Sequence, residues 1–328
     1  MKALITGGNG FIGSHLAEHL VRRGYEVSCL VRKNSDLTLL AGSDVRLVTG
    51  DLRDKGSLLQ AVRGADYVFH LAAVIRAGDW NTYYESNYVG TKNLIEVCAE
   101  RGRRIRRFVF VSSISAAGPS IKGVLKGEEA EPRPITWYGR SKLMAEDAVK
   151  ALAGKVPFVI IRPPNVLGPG GKEFYSVLKL LKMRVMPLLG NGDEQTSIIF
   201  VQDLVRGIEQ AALHRGTVSE TYYLTDGRIY SWRGISGVIA EELGISRFVF
   251  PVPYPLLMAL GFLMEAAARL AKRTPLTPCA QIRRTRQAYW TYDGSKATKE
   301  FGFKPLVGLR EGIRSAVAWY RERGMLAP

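Results

Sequence analysis

The chain has 328 residues, 46% of them apolar and 23% charged, a composition that can bury a sizeable core and is neither that of a disordered chain nor that of a membrane bundle. Forty-six Lys and Arg against thirty Asp and Glu leave a formal charge of +16. That balance favours anionic partners, but no zinc-finger spacing, RNP-like aromatic motif or heptad basic region accompanies it, so a nucleic-acid role is not expected.

Taken in chain order, Lys2–Thr6 is a short apolar run that meets glycines, and Ile12–Arg22 carries helical spacing. Gly24 stops that helix, Glu26–Arg32 predicts a second strand, and Val45–Val48 a third that ends at Gly50-Asp51. Further strands are expected at Tyr67–Leu71, Arg107–Ser112 and Phe158–Arg162, each separated from the next by a helix-sized segment. Apolar strands alternating with helices predict an α/β fold, a doubly wound parallel sheet covered on both faces. After Arg162 the text turns Pro- and Gly-rich, which marks a crossing into a smaller C-terminal region. Ser197–Val201 and Thr221–Leu224 are expected to return to the sheet before the chain finishes in helices such as Leu309–Arg323. The division expected is 1–168, with 193–230 returning to it, for a dinucleotide-binding Rossmann domain, and 169–192 with 231–328 for a substrate-binding region.

The segment Pro255–Lys272 contains an apolar run, Leu256–Met264, too short to span a bilayer at about 20 residues. It reads as a core helix, with a substrate lid or a membrane-surface helix as the alternatives. The basic clusters Arg101, Arg103, Arg104, Arg106 and Arg107, Lys272-Arg273, and Arg283-Arg284-Arg286 read as solvated surface. Cys29, Cys98 and Cys279 form no CxxC pair, so neither a disulfide scaffold nor a metal site is expected. The opening MKALITGGNGFIG lacks an export-signal pattern, and a cytoplasmic location follows as the expectation.

Gly7, Gly8, Gly10 and Gly13 satisfy both GxxGxxG and GxGxxG between a strand and a helix, with Phe11 and Ile12 inside the motif. In that context missing side chains let the backbone turn tightly, let a pyrophosphate approach the helix N-terminus and let helix pack on sheet. The second strand ends in Val31-Arg32-Lys33-Asn34-Ser35 rather than in a carboxylate. Two cations there favour NADP(H) over NAD(H), with Arg32 the better bidentate phosphate ligand, and Asp51 is placed for the adenine edge. Tyr138 and Lys142 stand at i and i+4, one helical turn apart, where an ammonium favours phenolate and brings the phenol toward a working proton donor and acceptor.

The ordered set TGGNGFIG, Gly50-Asp51-Leu52, His70-Leu71-Ala72-Ala73, Asn87-Tyr88-Val89-Gly90-Thr91, Val111-Ser112-Ser113 and YGRSK resembles the extended short-chain dehydrogenase/reductases, and the likeness continues through RPPNVLGP and FVQDL to Trp319-Tyr320. The resemblance implies a Rossmann domain of about seven parallel strands, with chemistry in the cleft beside a substrate region. It implies Tyr138 as acid/base, Lys142 on the nicotinamide ribose, Ser113 on the reacting oxygen, and Asn87 as a support. It also implies contact with the cofactor from Leu52, Leu71, Ala72, Ala73, Val111, Ser112 and Pro163. Ser113 is favoured over Ser112 because its separation from Gly118 and Tyr138 resembles that in the epimerase branch. Homodimers are common in such proteins.

Within that resemblance, Ser113 is followed by Ile114-Ser115 rather than the Asp-Glu pair of dehydratases. Where nucleotide-sugar epimerases carry a diphosphate-binding arginine, the chain reads Glu194-Gln195-Thr196-Ser197. These features, Arg32 and the apolar Leu256–Met264 segment favour the 3β-hydroxysteroid dehydrogenase-like and dihydroflavonol reductase-like branch. The expectation is an NADP(H)-dependent oxidoreductase interconverting a ketone and a secondary alcohol on a bulky, largely apolar small molecule. A nucleotide-sugar epimerase or reductase is the alternative, and it would use Asn165 on the substrate.

Overall fold

A computed structural model describes residues 1–100, 105–182, 185–189, 192–246, 248–270, 279 and 289–326. Six of the expected strands form within a residue or two of their predicted bounds: β1 (Lys2–Thr6), β2 (Glu26–Val31), β3 (Arg46–Thr49), β4 (Tyr67–His70), β5 (Arg107–Val111) and β6 (Phe158–Arg162). Three more follow as β7 (Asn165–Leu167), β8 (Val185–Leu189) and β9 (Gln195–Thr196), and then β10 (Ile198–Phe200) and β11 (Glu220–Tyr223). The main sheet has seven strands in the order β11-β6-β5-β4-β1-β2-β3, and every pairing in it is parallel.

The reason lies in the side chains. β4, β5 and β6 are buried at every position, so both faces must be covered by helices. One face packs with the Phe11–Arg22 and Val201–Leu213 helices through Leu16, Leu20, Leu204 and Ile208, and the other with Gly90–Glu100 and Trp137–Lys150 through Leu94, Ile95, Ala145 and Val149.

Only one of the two late strands returns to this sheet. β11 pairs with β6, whereas β10, expected to do the same, pairs with β7 in a separate two-stranded sheet. The Pro-rich stretch after β6 turns the chain out of the sheet, and β10 follows it there. On that small sheet a second core gathers Phe174, Leu178, Ile235, Ile239, Ile313 and Tyr320 from three helices, Lys172–Lys182, Trp232–Leu243 and Leu309–Glu322.

The apolar segment forms the helix Tyr254–Leu270, but it is not a core helix. Leu263 is 66% exposed and Leu270 87%, and Leu256, Leu260, Phe262 and Met264 are exposed with them. Among the described residues no helix is long and apolar enough to cross a membrane. The basic clusters also divide. Arg107 is buried in β5, donating to Thr217 Oγ1 at 2.8 Å and to the His214 carbonyl at 3.1 Å, rather than lying on a solvated surface. Arg101, Arg103, Arg104, Lys272, Arg273, Arg283, Arg284 and Arg286 lie outside the described residues.

Candidate active site

A cleft of about 1140 Å³ opens along the C-terminal ends of the central strands and is lined by residues of both cores. The glycine turn after β1 forms part of its wall. Gly7 adopts φ +73°, and a Cβ there would come within 2.7 Å of the Ala72 backbone nitrogen; one on Gly13 would come within 2.0 Å of the Gly7 carbonyl oxygen. The turn and the helix can therefore approach this closely only without side chains. Gly10 caps the helix Phe11–Arg22 with no side-chain hydrogen bond, leaving the first-turn N–H groups of Phe11, Ile12 and Gly13 for an anion.

At the end of β2, Arg32 and Ser35 line the cleft, while Lys33 is exposed and lies off its lining. Asp51 and Leu52 line it as expected, joined by Arg53, whose role the sequence reading missed. Arg53 donates to Asp51 from its backbone N–H at 2.9 Å and from Nε at 3.2 Å. These contacts, with Arg32 nearby, hold the Asp51 carboxyl below the usual carboxylate range. The signal was a cation two residues beyond the aspartate.

Leu71, Ala72 and Ala73 line the cleft beyond β4, and a buried polar chain fixes them. The Ala72 N–H donates to Thr6 Oγ1 at 3.3 Å, and Thr6 Oγ1 lies 2.6 Å from His70 Nδ1. His70 Nε2 lies 2.8 Å from Thr91 Oγ1, which donates to the Asn87 carbonyl at 2.5 Å. Because Thr91 spends its proton on Asn87, Nε2 carries the imidazole proton and Nδ1 accepts from Thr6. Burial, with Lys142 nearby, pushes the His70 pKa well below its ordinary value, so the ring is neutral. Asn87 sits in a π-helical stretch, Tyr84–Val89, and clamps the backbone of Val74 through Oδ1 at 2.7 Å and Nδ2 at 2.9 Å. It supports the wall rather than lining it.

The predicted constellation comes together. Thr136 caps the helix Trp137–Lys150 by accepting from the Gly139 N–H at 3.0 Å, which sets Tyr138 and Lys142 in its first turns, both on the cleft. A Cβ on Gly139 would come within 2.1 Å of the Ser115 carbonyl oxygen, so the glycine in YGRSK lets this helix press against the Ser112–Ser115 turn. Lys142 is buried, donates to the Val111 carbonyl at 2.8 Å and stands 4.0 Å over the Phe110 ring. Burial pushes its pKa down to about 7, against the pull of Glu146.

Both serines line the cleft, but they differ in their partners. Ser112 is buried and donates to Glu146 Oε1 at 2.6 Å. Ser113 is half-buried, lines the cleft and accepts the Ser115 N–H at 3.1 Å. Pro163 and Asn165 complete this wall, and Asn165 donates to Thr196 Oγ1 at 2.7 Å. The lining also takes Phe174, Val177, Trp232, Ile235 and Ile239 from the second core, and Trp290, which clusters with Ile114. The i, i+3, i+7 spacing of Trp232, Ile235 and Ile239 was the available signal for this wall.

The profile of the family described as NAD dependent epimerase/dehydratase matches residues 3–224. The chain belongs to that family. Among its epimerase/dehydratase relatives, the sterol demethylase protein B of Methylococcus capsulatus is 29% identical, covering 99% of this chain and 100% of that protein. The sterol-4-alpha-carboxylate 3-dehydrogenase of Mus musculus is 28% identical, over 96% of this chain and 90% of that one. The crystal structure of the dTDP-glucose 4,6-dehydratase DesIV of Streptomyces venezuelae, with NAD bound, superposes with a TM-score of 0.81 at 27% identity, covering 100% of this chain and 99% of that one. Family membership makes this chain an NAD(P)-dependent enzyme with a Rossmann-like sheet.

Proposed function

We propose that the protein interconverts a ketone and a secondary alcohol on a bulky, largely apolar molecule, with NADP(H) as the redox partner. The observation that carries the reading is the apolar stretch of lining formed by Phe174, Val177, Trp232, Ile235 and Ile239. The stretch where a diphosphate-binding arginine was sought instead turns Glu194, Gln195 and Thr196 to the cleft. An apolar wall offers a hydrocarbon skeleton burial and offers a diphosphate nothing. The names of the sterol-processing relatives point the same way.

The residues fit a dinucleotide. The glycine cradle and uncapped helix N-terminus suit a pyrophosphate, and Arg32, with Ser35 and Arg53 beside it, suits a 2′-phosphate. The cofactor supplies the hydride. Ser113 holds the substrate oxygen, Tyr138 gives that oxygen a proton in reduction or takes one in oxidation, and Lys142, poised near neutrality, keeps the phenol ready to do so. In this division of labour residues 1–168, with β11, serve the cofactor, and the helices Lys172–Lys182 and Trp232–Leu243 serve the substrate.

The NAD-bound sugar-nucleotide neighbour favours a second reading, epimerisation with no net redox. Net NADPH consumption with steroid-like and flavonoid-like ketones, assayed beside epimer formation from UDP-sugars without added cofactor, separates the two. Epimer formation alone overturns the redox reading.

A further inference from the structure

Arg76 lies on the loop beyond β4, past the stretch that Asn87 clamps, and its Nη2 meets Glu173 Oε1 at 3.3 Å. Both side chains line the cleft. Glu173 opens the helix that also contributes Phe174 and Val177, so this ion pair stands beside the apolar wall. The other cations on the described lining are committed elsewhere. Arg32 and Arg53 flank Asp51, and Lys142 is buried against the Val111 carbonyl.

The pair is built to exchange. Arg76 is 38% exposed and Glu173 64%, and an ion pair with that much water around it contributes little to stability. The contact engages one guanidinium nitrogen, although the planar fork can hold a carboxylate through two.

We propose that Arg76 is the anion-binding residue of the substrate cleft: the apolar substrate carries a carboxylate, and Glu173 holds the guanidinium until that carboxylate displaces it. This rests on the ketone/alcohol reading above and narrows its substrate class. The geometry then orients the substrate, since the hydrocarbon lies along Val177 and Trp232 while its charged end is held at the loop beyond β4.

The test is equilibrium binding of dodecanoate and 1-dodecanol, below their aggregation limits, to the NADPH-loaded protein. Wild type is expected to hold the acid about tenfold more tightly than the alcohol. Arg76→Gln should bring that ratio near one without altering alcohol affinity, Arg76→Lys should retain part of it, and Glu173→Gln should widen it. Equal affinities in wild type, or a ratio that survives Arg76→Gln, overturn the proposal. Turnover of neutral bulky ketones is measured on the same proteins. Its absence overturns the ketone/alcohol reading, while the acid-to-alcohol ratio still reports on Arg76 alone.

Discussion

Ser112 and Glu146 are joined inside the protein by a 2.6 Å hydrogen bond, and the same carboxylate is held by Arg162 through Nε at 2.9 Å and Nη2 at 2.6 Å. All three side chains are buried. Both Ser112 and Ser113 border the cleft, but this arrangement engages the Ser112 hydroxyl with a buried carboxylate, while Ser113 makes no such bond.

Ser112→Ala should therefore cost stability while sparing turnover, and Ser113→Ala the reverse. The first removes a hydrogen bond to a buried charge, about 1.5–3 kcal/mol. Glu146→Gln is harsher, since it leaves a buried guanidinium unpaired at about 3–5 kcal/mol. Denaturant midpoints and initial rates of the variants check the assignment. A stable Ser112→Ala protein without activity would reverse the two roles.

Arg32→Ala should cut the preference for NADPH over NADH by about tenfold or more, the worth of a charge-assisted phosphate contact. Lys33→Ala should change it little, because Lys33 lies off the cleft lining. Titration of both cofactors into the three proteins decides the matter. Equal affinity of wild type for NADH and NADPH would remove the basis for the NADP(H) reading.

Tyr138→Phe should fold and bind cofactor like wild type yet lose about 10²-fold or more in turnover, the usual contribution of a positioned acid. Lys142→Ala should lose both turnover and cofactor affinity. Turnover retained by Tyr138→Phe would assign the proton transfer to another group.

His70 gives the fold a pH dependence. Its folded pKa is depressed, so below about 6.5 the unfolded chain binds a proton that the folded chain refuses. Stability then falls as pH drops, approaching about 1.36 kcal/mol per pH unit from this residue. Unfolding free energies of the cofactor-free protein between pH 7 and about pH 5 measure the slope. His70→Gln should be less stable at neutral pH and show a shallower slope; an unchanged slope would place the proton uptake elsewhere.

The sequence by itself determined the parallel sheet and the chemical set. Strands as apolar as Phe158–Arg162 can lie only between two helical layers, and the glycine turn and the Tyr138–Lys142 pair are local patterns whose spacing already implies their geometry. What depends on distant segments was decided by the tertiary structure. Ser112 and Ser113 are neighbours in sequence, and only Glu146 and Arg162, brought in from a helix and another strand, tell them apart. Arg32 and Lys33 are equal as letters, but beyond the end of β2 the turn that Ser35 closes onto Arg32 leaves only Arg32 on the cleft lining. Ile198–Phe200 has the composition of a main-sheet strand, yet its partner is Asn165–Leu167. The Tyr254–Leu270 helix is apolar enough for a core and lies at the surface. In each case the pattern specifies a side chain's chemistry, and packing across the fold decides which surface or partner it meets.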